Sequence, residues 1–433
     1  MHRKVIVAVG LGLFFEMYEI FLSSTISTTL KTEFGLHGTE LKLLLASSFV
    51  GMFVGAAAFG RLADRIGRRR AFLINLIWFS AWSLIGAFAT DPTFLVIARF
   101  FAGVGVGAEY PVADSYLSDV LPKERRGRLA SYAYTCSYLA VPFVGFLALW
   151  LNVRSPLGIA GWRWLLALGA VGALIVLMLR RGLPESPRWL AGMGRIEEAQ
   201  QTLNTFAAGS GVVAAPIDEQ AQEAPTPQRS GSQLFRLRRA PYRRRLAMLG
   251  VFHLFQTFGY YGFGTLAALV LVNRGYNVTS SMLFTALSFI GYPVGSALAI
   301  PLLARIERKF LVAGSVVAIA AFGLGFATVS SVPLIIALGF LTTATSNIFS
   351  NVYHVYQAEI FPTTVRATAV GWTYSLSRLT SGALPFVLIP VLDDHGATAM
   401  FAVVGAALAI VVIAVLTLGP RTSRRSLEEI NPA

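Results

Sequence analysis

The sequence predicts an all-α polytopic membrane protein with twelve transmembrane helices in two pseudo-symmetric six-helix halves. Three observations lead to this prediction: an apolar composition, a series of long apolar segments, and one sequence offset that relates the two halves. Of the 433 residues, 55% are hydrophobic and 13% are charged, whereas a soluble protein carries about 25% charged residues. The excess apolar surface must therefore face lipid, where only helices and closed barrels satisfy their own backbone hydrogen bonds.

The apolar segments are long enough to be membrane-spanning helices. A helix needs roughly 20 apolar residues to cross a bilayer, and continuous apolar runs differ from the alternating pattern of a barrel strand. The predicted spans are residues 5–30, 43–62, 71–90, 94–119, 128–151, 163–181, 246–272, 280–304, 310–329, 332–358, 365–391 and 398–418.

The net charge of +14 is concentrated in alternate connections between these segments. One set of loops, with both chain ends, contains nearly all of the basic residues. The opposite set contains only Lys31, Lys42, Arg154, Arg163 and Arg274. By the positive-inside rule, we expect a multi-pass inner-membrane protein whose two termini are cytoplasmic. Basic residues at the ends of apolar runs favour contact with membrane lipids and argue against a nucleic-acid partner.

The domain organisation follows from a long polar stretch in the middle of the chain. We predict an N-terminal six-helix bundle in residues 1–182, a cytoplasmic central loop in 183–245, a C-terminal six-helix bundle in 246–420 and a cytoplasmic tail in 421–433. Residues 209–232 are rich in Gly, Ser, Pro, Ala and Gln, which is typical of a flexible linker.

The two halves share loop patterns at one constant offset in residue number. In each half an acidic residue is followed by Pro at the third position and Arg at the seventh, and each half also has a basic loop after its second span. The matching residues are Asp119 and Arg126 with Glu359 and Arg366, and Arg65 with Arg305. Parallel repeats of this kind are a transporter architecture that places the substrate near the membrane midplane, between the halves.

Three motifs carry a family resemblance. They are GRLADRIGRRR at residues 60–70, RFFAGVGVGAE at 99–109 and PESPRWL at 184–190. With these motifs the chain resembles the major facilitator superfamily, and within it the sugar-and-other-transporter branch. The seventh span has one Gln, Gln256, before Tyr260 and Tyr261, where sugar-specific members have paired Gln followed by Gly and Asn. The chain therefore looks closer to the synaptic-vesicle-glycoprotein-like members, which include aromatic-acid and niacin carriers.

The resemblance implies a secondary active transporter that works by alternating access. We expect a proton-coupled symporter of a small organic acid, aromatic acids included, acting as a monomer. A carrier of a neutral sugar or polyol, an exporter and a non-transporting membrane sensor are the alternatives. No phosphate-binding loop, metal-ligand spacing or nucleophile elbow occurs in the sequence, so we expect no enzyme activity, no cofactor and no metal site.

Acidic residues inside the spans are candidates for proton coupling because ionisable groups are costly in a membrane. Glu16 and Glu19 are three residues apart and share a helix face. Two carboxylates so close together in a low-dielectric cavity cannot both ionise cheaply, which suits reversible proton binding. Glu109 follows three closely spaced glycines, so it is expected in a tightly packed position, as a proton carrier or as the partner of a donor on another helix.

Basic and polar residues inside the spans are candidates for substrate binding. Arg378 lies near the midplane, where a guanidinium can hold a carboxylate through two parallel hydrogen bonds; its partner is either the substrate or an internal acid such as Glu16 or Glu19. Arg99 is a second buried cation, with an architectural or coupling role. The other candidates for the cavity wall are Gln256, Tyr260, Asn347, Asn351, His354, Trp372 and Tyr374, and each could instead make a helix–helix hydrogen bond.

The loop motifs imply a conformational latch on the cytoplasmic side. We expect Asp64 near the start of the eleventh span, a basic residue of the first loop with Asp119, and Arg305 with Glu359. The full set comprises Gly60, Asp64, Arg65, Gly67, Arg68, Asp119, Arg126, Arg305, Glu359 and Arg366. The alternative is that these charges act only as topology signals.

Overall fold

The computed structural model describes residues 2–36, 38–107, 109–121, 126–207, 241–361, 363–423 and 427–430. Side chains are described for these residues except at 57, 60, 61, 64, 111, 115, 118, 126–128, 130, 131, 304, 363–368, 372, 427 and 428. Nearly all of the described chain is helical, and within it there is no β-strand.

The first half consists of six spans, two of them built from two consecutive helices. The helices are α1 (His2–Glu33), α2 (Thr39–Ile66), α3 (Arg68–Ala87), α4 (Pro92–Val106), α5 (Glu109–Val120), α6 (Arg126–Tyr138), α7 (Ala140–Arg154) and α8 (Gly161–Arg181). Helices α4 and α5 form the fourth span, and α6 and α7 form the fifth. The described part of the central loop, up to residue 207, contains two shorter helices, α9 (Pro187–Gly192) and α10 (Ile196–Ala207).

The second half also has six spans. Its helices are α11 (Tyr242–Asn273), α12 (Val278–Phe289), α13 (Gly291–Arg305), α14 (Arg308–Thr328), α15 (Val332–Glu359) and α16 (Thr363–Leu418), followed by the short α17 (Leu427–Ile430). Helices α12 and α13 form the eighth span. The seventh span begins at Tyr242, a few residues before the predicted start at 246, and the linker prediction for 209–232 lies outside the described residues.

The long helix α16 contains two spans. Its 56 residues are far more than the roughly 20 that cross a bilayer. At Gly396 the backbone leaves the helical region, with φ of 80° and ψ of 178°. A positive φ suits glycine because it has no Cβ. Within the described chain, ten helical segments are long and apolar enough to span a membrane; the break at Gly396 and the α4–α5 pair bring the spans to the predicted twelve.

The constant offset between the halves is confirmed in their packing. A Cβ atom on Gly51 or Gly55 of α2 would overlap the backbone of α4 at Phe100 or Val104. The glycines at the same offset in the second half, Gly291 and Gly295 of α13, lie in the same way against Phe340 and Ala344 of α15. Tyr116 and Tyr356 are also 240 residues apart, and each donates to a proline carbonyl beyond its half's last span, Pro184 O at 2.7 Å and Pro420 O at 2.8 Å, although these two prolines are 236 residues apart. Each half therefore brings the same pair of helices into backbone contact.

The halves contact each other mainly on the side of the molecule away from the N-terminus. Ser24 of α1 donates to Gly264 O of α11 at 2.6 Å, and Thr29 Oγ1 lies 3.9 Å from Met282 Sδ of α12. These contacts join the far ends of α1, α11 and α12. A cavity lies between the halves in the middle of the bundle.

Candidate functional site

The central cavity has walls from both halves and a free volume of about 420 Å³, including the part that is open to solvent. The enclosed part of this space is about 30 Å³, well below the roughly 300–1,000 Å³ of ordinary small-molecule sites, so this conformation is nearly closed around the site. Its wall is aromatic and polar, and is formed by Met17, Tyr110, Tyr138, Gln256, Tyr260, Tyr261, Ser350, Tyr353, His354, Tyr374, Ser377 and Arg378. Five of the predicted substrate-binding residues are among them: Gln256, Tyr260, His354, Tyr374 and Arg378.

Arg378 is the basic residue of this wall. It projects from α16 and is 4% exposed. Its guanidinium donates to the hydroxyl of Tyr261 at 2.9 Å and to that of Tyr374 at 2.8 Å, and Met52 Sδ lies 3.8 Å away. Among the described residues, no carboxylate lies within ion-pair distance of Arg378. The cavity therefore presents a cation whose direct partners are neutral.

Glu19 forms an ion pair with Arg99. Arg99 Nη1 lies 2.5 Å from Glu19 Oε2, and its other nitrogens donate to Ser23 Oγ at 3.0 Å and Glu19 O at 2.7 Å. Ser83 of α3 donates to the second carboxylate oxygen at 2.6 Å. Arg99 thus joins α4 to α1, and Glu19 is held by fixed partners. The structure does not support Glu19 as a partner of Arg378.

Glu109 forms the second buried ion pair, with Arg180. Arg180 Nη2 lies 2.5 Å from Glu109 Oε1, and the guanidinium also donates to Ala8 O at 3.1 Å. Its Cζ is 4.3 Å from the ring centre of Phe72. A Cβ on Gly12 would overlap Arg180, so this glycine makes room for the pair beside α1. Of the two predicted roles of Glu109, the contact with a donor on another helix is the one that this geometry supports.

Arg180 was missed by the sequence interpretation, which has it at the end of the predicted span 163–181 and does not select it as a site residue. In the structure it is the second-last residue of α8 and is 1% exposed. A usable signal exists in the sequence: Glu109 is an acid in a span, so it needs a cation, and a basic residue at the end of another span can reach it.

Glu16 has surroundings different from those of Glu19, although the two are on the same helix. It is 1% exposed, and its Oε2 atom has no hydrogen-bond partner among the described residues. It lies near enough to Arg378 and Glu109 to interact with both electrostatically. The prediction that Glu16 and Glu19 interact mainly with each other is therefore wrong. Glu19 is paired with Arg99, and Glu16 interacts with Arg378 and Glu109.

Asn347 and Asn351 do not belong to the cavity wall. Asn347 Nδ2 donates to Tyr292 O at 2.5 Å, and Asn351 Nδ2 donates to Ser296 Oγ at 3.2 Å. Both contacts join α15 to α13. They favour the alternative role, in which these two residues make helix–helix hydrogen bonds. The side chain of Trp372 lies outside the described residues.

The loop motifs of the first half, which the sequence predicts to be cytoplasmic, are joined through the segment after α8. Asp119 accepts a hydrogen bond from Ser186 Oγ at 2.7 Å and lies 3.8 Å from Arg188. Glu185 Oε1 accepts from the backbone N–H of Arg69 at 3.0 Å. The expected pairing of Asp119 with the basic loop is thus wrong: its described partners come from PESPRWL.

In the second half, Glu359 pairs with Arg308 at 3.0 Å, and not with Arg305 as expected. Arg305 ends α13, whereas Arg308 begins α14 and lies beside Glu359. Glu307 accepts from the backbone N–H groups of Thr422 and Ser423 at 2.9 and 3.3 Å. Partial burial raises the pKa of Glu307, but these hydrogen bonds outweigh it and lower the pKa. The structure does not describe the side-chain environment of four predicted latch residues: Gly60, Asp64, Arg126 and Arg366.

Comparison with known proteins identifies the family. The model of the sugar (and other) transporter family matches residues 4–433. The chain belongs to this family. One relative is the niacin transporter NiaP of Acinetobacter baylyi, which is 28% identical over 99% of this chain and 96% of the relative. Another is the glucose transporter GlcP of Staphylococcus epidermidis, which is 30% identical over 91% of this chain and 89% of the relative.

The fold is that of solved members of the superfamily. The partially occluded inward-open structure of the xylose transporter XylE from E. coli superposes with a TM-score of 0.80 at 22% identity, and covers 98% of this chain and 99% of that one. Family and fold together confirm a multi-pass inner-membrane transporter of the major facilitator superfamily, in the sugar-transporter branch, and not an enzyme.

Proposed function

We propose that this transporter is a proton-coupled symporter of a small aromatic carboxylic acid, with both termini in the cytoplasm. The observation that carries the proposal is Arg378: a buried guanidinium in the cavity wall with two neutral hydroxyl partners and no carboxylate at ion-pair distance among the described residues. An unpaired charge at this depth is costly. A bound carboxylate would neutralise it and could accept two parallel hydrogen bonds.

The aromatic wall supports a flat substrate. Tyr260, Tyr261 and Tyr374 line the cavity close to Arg378, and Cζ of Arg378 is 5.2 Å from the Tyr374 ring centre. Rings of this kind provide large apolar faces with a polar edge. The niacin transporter of Acinetobacter baylyi, whose name states an aromatic acid as substrate, is similar to this chain over almost its whole length.

The proton would be carried by Glu16. Its carboxylate has an unpartnered oxygen and lies within the electrostatic reach of Arg378, whereas Glu19 and Glu109 are held in ion pairs. When an acid binds Arg378, the positive field at Glu16 is reduced, which favours protonation of Glu16. Substrate binding and proton uptake would then be coupled. A relative that is named as proton-coupled is the arabinose-proton symporter of Bacillus subtilis, 26% identical over 98% of this chain.

The test compares nicotinate with nicotinamide, which share a ring and differ in charge. We expect purified wild-type protein to bind nicotinate at least about tenfold more tightly than the amide, since one charge-assisted bidentate contact distinguishes them. Arg378→Ala should remove this preference, and Arg378→Lys should reduce it because an ammonium lacks the planar fork. Arg154→Ala is the matched control, because Arg154 is an exposed arginine beside Trp150 and away from the cavity.

A neutral sugar is the second candidate, because the glucose transporter GlcP is 30% identical and Gln256 offers hydrogen bonds in the wall. Glucose is therefore included in the same binding assay. If glucose binds and nicotinate does not, or if Arg378→Ala leaves nicotinate binding intact, the neutral-substrate function replaces the organic-acid function.

A further inference from the structure

A chain of three hydrogen-bonded side chains leads from the cavity wall into the second half. His354 lines the cavity and is exposed to it. Gln357, one turn along α15, places its Nε2 atom 3.2 Å from His354 Nδ1. Its Oε1 atom is 3.1 Å from Nε2 of His253 on α11, and that histidine is fully buried. Gln357 therefore connects a buried imidazole with one that faces the cavity.

His253, at the buried end of this hydrogen-bonded series, determines the orientation of the Gln357 amide. With Oε1 facing His253, Nε2 of His253 is the donor, and its other nitrogen, Nδ1, is a bare acceptor. Nδ1 is buried and has no hydrogen-bond partner among the described residues. If the amide were reversed, Nδ1 of His253 would carry the proton and would be a buried donor without a partner. An orphaned N–H is rarer than an under-satisfied acceptor, so the orientation with Oε1 toward His253 is favoured.

This orientation also decides the tautomer of His354. An amide nitrogen only donates, so Nδ1 of His354 accepts from Gln357 and carries no proton. The proton of the neutral imidazole is then on Nε2. No described protein group is hydrogen-bonded to this nitrogen, so the cavity wall offers a free N–H donor.

We propose that His354 Nε2–H is a specificity-determining donor that selects acids with a hydrogen-bond acceptor in the aromatic ring, such as pyridine carboxylates, over benzoate. This inference rests on the proposed function, in which Arg378 holds the carboxylate. Tyr374 is near both groups, with its ring centre 5.2 Å from Arg378 Cζ and 6.2 Å from the His354 ring centre. One flat molecule lying against Tyr374 can reach the guanidinium with its carboxylate and the imidazole with its ring nitrogen.

The binding test uses nicotinate and benzoate, which are both anions and differ at one ring atom. We expect the wild type to prefer nicotinate by about five- to tenfold, the usual effect of one neutral hydrogen bond. His354→Phe should weaken nicotinate binding more than benzoate binding, so that the variant no longer distinguishes the two acids. Thermal unfolding of the variant verifies that it is folded.

A second measurement reads the tautomer without any ligand. In protein labelled with ¹⁵N-histidine, the ring-nitrogen shifts distinguish protonated from bare nitrogens, and the signals absent from His354→Phe belong to His354. We expect a bare Nδ1 and a protonated Nε2; the reverse would overturn the inference. Equal binding of nicotinate and benzoate, with dependence on Arg378 retained, would overturn it and leave the proposed function standing. If neither acid binds, both fall.

Discussion

At the scale of single residues, the acids and arginines inside the spans have different environments. Glu19 and Glu109 each have an arginine at 2.5 Å, from α4 and α8 respectively. Glu16 has an oxygen without a partner among the described residues. Removing one partner of a buried ion pair leaves an uncompensated charge, which costs about 3–5 kcal/mol. We therefore expect the paired acids to stabilise the fold and Glu16 to exchange the proton.

Neutral replacements of the two acids on α1 separate these roles. Glu16→Gln should abolish accumulation driven by a pH gradient in proteoliposomes, while exchange of substrate across the membrane continues and the thermal unfolding temperature is retained. Glu19→Gln should lower the unfolding temperature because Arg99 loses its anion. Each variant is the control for the other, because both replace one carboxylate of α1 by an amide. Normal pH-driven accumulation by Glu16→Gln would contradict the proton role.

At the scale of helices, both halves use glycine in the same way to bring two helix backbones into close contact. Gly55 and Gly295 occupy equivalent positions and leave no room for a methyl group against the backbone of the neighbouring helix. Small residues of this kind let helix backbones approach closely in a membrane. Gly314 of α14, by contrast, is exposed, and a Cβ added there would have no neighbouring atom within 4 Å.

Alanine at these glycines should therefore have position-dependent effects. Gly295→Ala forces α13 away from α15, and we expect a loss of about 1–3 kcal/mol, as for other overpacked interiors. Gly55→Ala should cause a similar loss because its environment is the same. The measurement is the thermal unfolding temperature in detergent, with Gly314→Ala as the control that should match the wild type. Equal stability of all three variants would refute the packing role.

At the scale of the whole molecule, the two halves enclose the cavity and contact each other at the ends away from the N-terminus. Thr29 and Met282 are one such contact, at 3.9 Å between Oγ1 and Sδ. Alternating access requires these ends to separate in the other state. The contact is therefore expected to form and break in every transport cycle.

A cysteine pair at this contact tests the cycle. The chain has one cysteine, Cys136, so Cys136→Ser provides a cysteine-free background. In it, Thr29→Cys with Met282→Cys should form a disulfide under oxidation, and transport should stop and return after reduction. Each single-cysteine variant should remain active under the same oxidant. Full transport by the completely cross-linked protein would show that these ends do not need to separate.

The sequence by itself determined the architecture of this protein. Apolar segments, basic loops and the constant offset between the halves report the number of spans and the duplication, because the bilayer imposes length and polarity on each span separately. It also identified Arg378, since a cation in a span is conspicuous. It did not determine the partners: Arg180 was not selected as a site residue, Asn347 looked like a cavity residue, and Glu19 looked like half of a carboxylate pair. Those assignments depend on which helix lies opposite each side chain. Packing between distant segments decides this, so only the tertiary structure could show that Arg99 and Arg180 neutralise two acids, that Arg378 lines the cavity, and that Glu16 has an oxygen without a partner among the described residues.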